Sequence, residues 1–80
     1  KGNKMTKQEF LEKLADALQL DYTPKAEQKL EDIEEYDSLG LLSVSSLYSE
    51  LFNLEIEGIV LKSCKSIQDL INLAKDYIKD

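Results

Sequence analysis

The sequence predicts an all-α fold, a four-helix bundle with three main amphipathic helices and one short third helix. Apolar residues recur three and four positions apart in three separate stretches, and each recurrence marks one buried helix face. No alternating strand pattern survives anywhere, and short connections between amphipathic helices favour a bundle. At 80 residues the chain makes one domain, placed at residues 5–80. Lys1 to Lys4, ahead of Met5, read as a non-native leader joined to a native start and are set aside.

Thr6-Lys7-Gln8-Glu9 fits a capping box, and Phe10, Leu11, Leu14, Ala15 and Leu18 then form one apolar face. The first helix is therefore expected over about residues 7–19. Leu20 to Tyr36 is a long connection. Thr23-Pro24 suits the start of a short helical turn, with Leu30 and Ile33 anchoring the loop to the core. The second helix is expected from Ser38 to Phe52, with Val44, Leu47, Tyr48, Leu51 and Phe52 on its inner stripe. Glu55 to Gly58 reads as a loop and Ile59 to Lys62 as the short third helix. Ser66 and Asp69 form a second capping arrangement. The last helix then carries its stripe on Ile67, Leu70, Ile71, Ala74 and Ile78.

Composition narrows the chemistry. A chain this short buries only about 60% of its unfolded surface, enough for a small core but not for an enclosed catalytic cleft. It has no histidine, which removes serine–histidine and cysteine–histidine nucleophile pairs, and its single cysteine argues against a zinc site. No calcium-loop pattern and no phosphate-cradling glycine motif is present. The chain is expected not to be an enzyme. Cys64 has no internal disulfide partner, which fits a reducing cytosolic setting, and it is expected to be a buried small hydrophobe. No apolar run approaches a membrane span, and no signal peptide is visible. Net charge is −6. Residues 21–37 hold seven acids (Asp21, Glu27, Glu31, Asp32, Glu34, Glu35, Asp37) against Lys25 and Lys29, a local net of −5. Such a surface repels nucleic acid and anionic lipid and attracts basic partners; its plainer role is solubility.

One position stands apart. Ser38 falls where the second helix begins, with Asp37 before it, and both are good N-cap residues. A helix start also favours an anion, because its free N–H groups and dipole point at it. A phosphate ester on the Ser38 hydroxyl would be well placed.

Asp37-Ser38-Leu39 opening a helix resembles the acyl carrier protein family. Phe52 and Ile56 at their distances from Ser38, and Ser66-Ile67 opening the last helix, match that family without an insertion. The resemblance covers roughly Thr6 to Ile78. Tyr36 is similar to the aromatic residue of the free-standing carriers. The resemblance implies a 4′-phosphopantetheine arm attached as a phosphodiester to Ser38 by a separate phosphopantetheinyl transferase, with Asp37 and Leu39 as the flanking cofactor-site residues. The arm's thiol then carries acyl or related groups as thioesters. Loading ligases, acyltransferases and synthases are the implied partners of a cytoplasmic monomer with no nucleic acid and no membrane insertion. An aminoacyl or D-alanyl carrier is an alternative within the fold, and a helical interaction module without a prosthetic group is one outside it.

Helical projection puts Leu39 and Leu42 off the core stripe, and with Ser46 and Glu50 they make a candidate partner-binding face. Packing under the acidic loop is their alternative. Fatty-acid carriers usually show acids along this face. Here Gly40, Ser43, Ser45, Ser46 and Ser49 replace them, and Glu35 stands where glycine is frequent. A specialised biosynthetic pathway fits better than bulk fatty-acid synthesis. In carriers that shelter fatty chains, the acyl path matches Val44, Leu47, Tyr48, Phe52, Ile56, Leu61 and Cys64. Leu61 and Tyr48 add bulk to that path relative to the family's usual alanine and leucine. The interior is therefore expected to be closed, with a short, polar or aminoacyl cargo outside.

Overall fold

Phe10, Leu11, Leu14, Ala15 and Leu18 line one side of a twelve-residue helix that is too short to be stable alone, so packing must hold it. The computed structural model describes residues 4–79 of the chain, so the leader assigned to residues 1–4 lies outside the described residues except for Lys4. Among them are four α-helices: α1 (Lys7–Leu18), α2 (Ser38–Phe52), α3 (Gly58–Ser63) and α4 (Ile67–Leu73). Helices dominate, as the all-α expectation requires. α1 opens with the expected capping box, in which Thr6 accepts from the Glu9 amide and Glu9 accepts from the Thr6 amide. Gln19 closes it in the left-handed conformation. α2 has the expected bounds and ends on Asn53, also left-handed.

The core gathers around Tyr48, which is fully buried on α2. Its ring lies 5.8 Å from Phe10 on α1 and 6.2 Å from Phe52 one turn along α2. The hydroxyl donates to the carbonyl of Leu70 on α4. Leu70 is among the last four residues of α4, whose carbonyls have no partner within the helix, so the bond satisfies both groups. Leu14, Val44, Leu61 and Ile67 complete the centre, all at 0% exposure.

The turn in the long connection forms later than Thr23-Pro24 suggests. Pro24 is buried outside any helix, a non-helical turn follows in which Gln28 donates to the Lys25 carbonyl (3.0 Å), and the 3-10 turn forms at Leu30–Asp32. Leu30 and Ile33, three apart, are both buried, and three residues per turn puts them on the same side. Backbone bonds fasten this segment to the start of α4: Ile67 donates to the Gln28 carbonyl (3.0 Å), Gln68 to that of Ala26 (2.8 Å), and Leu30 to that of Lys65 (2.9 Å). The connection thus supplies acceptors to amides that the first turn of α4 leaves free.

The C-terminal stripe also differs from expectation. α4 stops at Leu73 rather than running to Ile78, because Ala74 (φ −126°, ψ 32°) leaves the helical region. Tight turns follow, with Ala74 donating to Ile71 and Tyr77 to Ala74. Ile78–Lys79 then forms a short strand, β2, parallel to β1 (Met5–Thr6), so a strand pair exists where none was expected. Extended chain rises more than twice as far per residue as a helix, and this reach lets Ile78 pair with Met5. Ala74 and Ile78 remain buried, as their spacing requires. Each large apolar side chain buried in this way contributes about 1.5–3 kcal/mol. α3 starts at Gly58, one residue earlier than expected.

Burial, followed by the neighbouring Cys64, pushes the phenols of Tyr36 and Tyr48 well above their usual value of 10.0. Burial, followed by the charge of Asp69, pushes the Cys64 thiol above 9.0. A group whose pKa is raised on folding stabilises the fold below its unfolded value and loses that contribution as pH climbs through the folded value. Urea midpoints should therefore hold steady from pH 7 to 9 and fall above about pH 10. Tyr48→Phe should lower stability by about 1–3 kcal/mol at neutral pH, because the Leu70 carbonyl loses its donor. The same variant should show a shallower alkaline decline.

Candidate functional site

Asp37 and Ser38 divide the work at the start of α2. Asp37 is the N-cap: it is extended, and its Oδ1 accepts from the Gly40 amide at 3.0 Å. Its carbonyl accepts from the Leu41 amide at 2.8 Å. Ser38 is the first helical residue, exposed, and its hydroxyl has no hydrogen-bond partner among the described residues. Of the two capping candidates in the sequence, the structure selects Asp37. A free primary hydroxyl is left at the positive end of the longest helix, a position that suits an anionic ester.

Gly40 makes this start possible, and sequence reasoning missed its role. A Cβ built there would lie 2.1 Å from the Glu35 carbonyl oxygen and 3.0 Å from Leu18 of α1. The segment before Ser38 therefore crosses α2 at a point only glycine leaves open. The visible signal was a glycine inside a helical pattern.

Leu39 and Leu42 are 74% and 67% exposed, so they do not pack under the acidic loop. Ser46 and Glu50 are exposed as well, and the four positions run down one outer face of α2 from the serine. Ile59 and Val60 on α3 add exposed apolar surface. The seven acids of residues 21–37 are all exposed.

The expected acyl path is mostly solid core. Val44, Leu47, Tyr48 and Leu61 are buried, and Phe52 and Ile56 are half-buried. Cys64 is also half-buried rather than enclosed, because it follows the end of α3 with its thiol directed at the Val60 carbonyl, 3.6 Å away. The cleft beside Ser38 lies elsewhere, between the connection, the start of α2 and the end of α3. It measures ≈ 430 Å³ and is walled by Ser38, Tyr36, Leu41, Lys62, Glu31 and Cys64 among others. Of the expected path residues, only Cys64 reaches it. Tyr36 forms its back, with its hydroxyl donating to the Leu61 carbonyl at 2.7 Å.

No family model matches the chain, and neither a curated protein nor a solved structure matches it. No helix among the described residues is long and apolar enough to cross a membrane.

Gly40→Ala tests the geometry of the helix start. It should destabilise the protein by about 1–3 kcal/mol in urea unfolding, because either the Glu35 backbone or α2 must move. Ser46→Ala, on the exposed face of the same helix, should change stability by no more than about 0.5 kcal/mol.

Proposed function

We propose that this protein is a carrier: a non-catalytic acyl-carrier-like bundle that holds its cargo as a thioester on a 4′-phosphopantetheine arm attached to Ser38. One observation carries the proposal. The serine of Asp37-Ser38-Leu39 opens the longest helix with its hydroxyl exposed and unpartnered, because Asp37 does the capping. The surroundings fit the group. The Gly40 and Leu41 amides are already committed to Asp37, which leaves the amides of Ser38 and Leu39 at the helix start to face a phosphate. Lys62 stands in the adjoining cleft as a countercharge. Bound there, the arm would supply a thiol for thioester transfer between enzymes.

The chain's own residues present and orient. α2 fixes the position of Ser38, and the exposed Leu39 and Leu42 give an incoming enzyme apolar surface beside it. The surrounding acids attract a basic partner and accelerate encounter. A specialised pathway remains the better fit, since the outer face of α2 carries serines where fatty-acid carriers have acids. A helical interaction module is the alternative, favoured by the same exposed leucines.

Intact mass after incubation with coenzyme A and a broad-specificity phosphopantetheinyl transferase separates the two. The carrier should gain one phosphopantetheinyl group, and Ser38→Ala should gain none. Because Ser38 is not the cap, that variant should keep its helical circular dichroism and unfold within about 0.5 kcal/mol of the parent. A wild-type chain that gains no mass, or a Ser38→Ala chain that does, refutes the assignment.

Docking should rely on apolar contact more than charge. Burying a leucine at an interface contributes roughly 2 kcal/mol, whereas an exposed ion pair is worth under about 1 kcal/mol. Leu42→Ala should therefore lower kcat/KM for modification by roughly tenfold or more, and Glu50→Gln by less. The reverse order would show that charge dominates.

A further inference from the structure

Three hydroxyl groups along the seam between α2 and the C-terminal half of the chain donate to backbone carbonyls on its far side. Tyr36, just before α2, donates to Leu61 in α3 at 2.7 Å. Ser45 on α2 donates to Ile56, ahead of α3, at 2.9 Å. Tyr48, one turn further along α2, donates to Leu70 in α4. The first two bonds hold the α3 segment at both ends, and the third holds α4. Leu61 and Leu70 lie in the last four residues of their helices, where carbonyls are left off the regular helical ladder; the Leu61 carbonyl also accepts from the Cys64 amide at 3.1 Å. Behind the bonds the interior is filled: Val44, Tyr48 and Leu61 are at 0% exposure, and the rings of Phe10, Tyr48 and Phe52 lie 5.8–6.2 Å apart.

We infer that these three hydroxyl-to-carbonyl bonds latch the protein's interior shut, making Tyr36, Ser45 and Tyr48 specificity-determining residues that restrict the Ser38 cargo to short or polar groups held outside the helices. The inference rests on the carrier function proposed above. A chain entering from Ser38 would have to part α2 from α3. An aliphatic chain carries no donor or acceptor, so each latch it broke would leave a hydroxyl without its acceptor and take a donor from a carbonyl. It would also have to displace side chains that already fill the space. A short or polar group can remain in the open cleft that Ser38, Tyr36 and Lys62 help to wall.

The test uses acetyl, hexanoyl and decanoyl forms of the Ser38-linked protein, each verified by intact mass, and compares their melting temperatures. The wild type should give a flat series. Tyr36→Phe, Ser45→Ala and the double variant should melt lower when acetylated, and the double variant should gain about 5 °C or more from acetyl to decanoyl. A merely structural role would lower all three forms equally, so the slope with chain length is the deciding readout. In the unmodified protein, amide exchange across α3 should speed up in the double variant while that of α1 stays unchanged. A wild-type series that rises steadily through decanoyl overturns the closed interior and leaves the carrier function intact. A double variant as flat as the wild type, or with unaltered α3 exchange, overturns the role of the latches. Failure of Ser38 to take any arm overturns the carrier function, and this inference with it.

Discussion

The hydroxyl of Tyr48 reaches the carbonyl of Leu70 through the middle of the core, and most of the architecture depends on that contact. A fully buried phenol is costly unless its hydroxyl finds an acceptor. The acceptor exists because α4 ends early, leaving the Leu70 carbonyl free of the helical ladder. The early end in turn lets residues 74–79 turn back and pair with Met5–Thr6, so both ends of the described chain meet. Phe10 and Phe52 flank the same ring, and Tyr77 stacks on Phe52 at 5.3 Å. One side chain thus ties α1, α2 and α4 into a single cooperative unit.

A core built this way leaves the proposed attachment site to a helix terminus. Asp37 absorbs the capping requirement of α2, which leaves the Ser38 hydroxyl exposed and without a partner among the described residues. Gly40 lets the preceding segment cross closely enough to place Asp37 in that role. Tyr36, on the other side of the serine, turns inward to the end of α3. The residues around the serine therefore face three ways: Asp37 into its own helix, Tyr36 toward α3, and Leu39 outward to solvent. A rigid serine beside an exposed apolar surface follows from that division.

The long acidic connection is less passive than its composition suggests. Leu30 and Ile33 pin it to the core, and the carbonyls of Ala26 and Gln28 receive the first amides of α4. Its carboxylates all face solvent, where they shape the field around Ser38 without adding to the packing. Scaffolding comes from the backbone and apolar side chains of this segment, and electrostatic character from its charged ones.

Local chemistry made much of this legible in advance. Capping boxes at Thr6 and Ser66, the bounds of α2, the exposure of Leu39 and Leu42, and the buried stripes all follow from contacts within four residues of each other along the chain. Ser38 stood out for the same reason, since a helix start is readable from capping residues and periodicity. Long-range partners were not legible. Nothing near Tyr36, Ser45 or Tyr48 in sequence points to Leu61, Ile56 or Leu70, which lie 25, 11 and 22 residues away. The choice of Asp37 over Ser38 as the cap turned on backbone angles, and the place of the turn at Leu30–Asp32 on backbone bonds to α4. The end of α4 at Leu73 was hidden because a stripe spaced by three and four stays buried whether its last turn is helical or unwound. Strand pairing between Met5 and Ile78 joins residues from opposite ends of the sequence, and periodicity carries no record of such a contact.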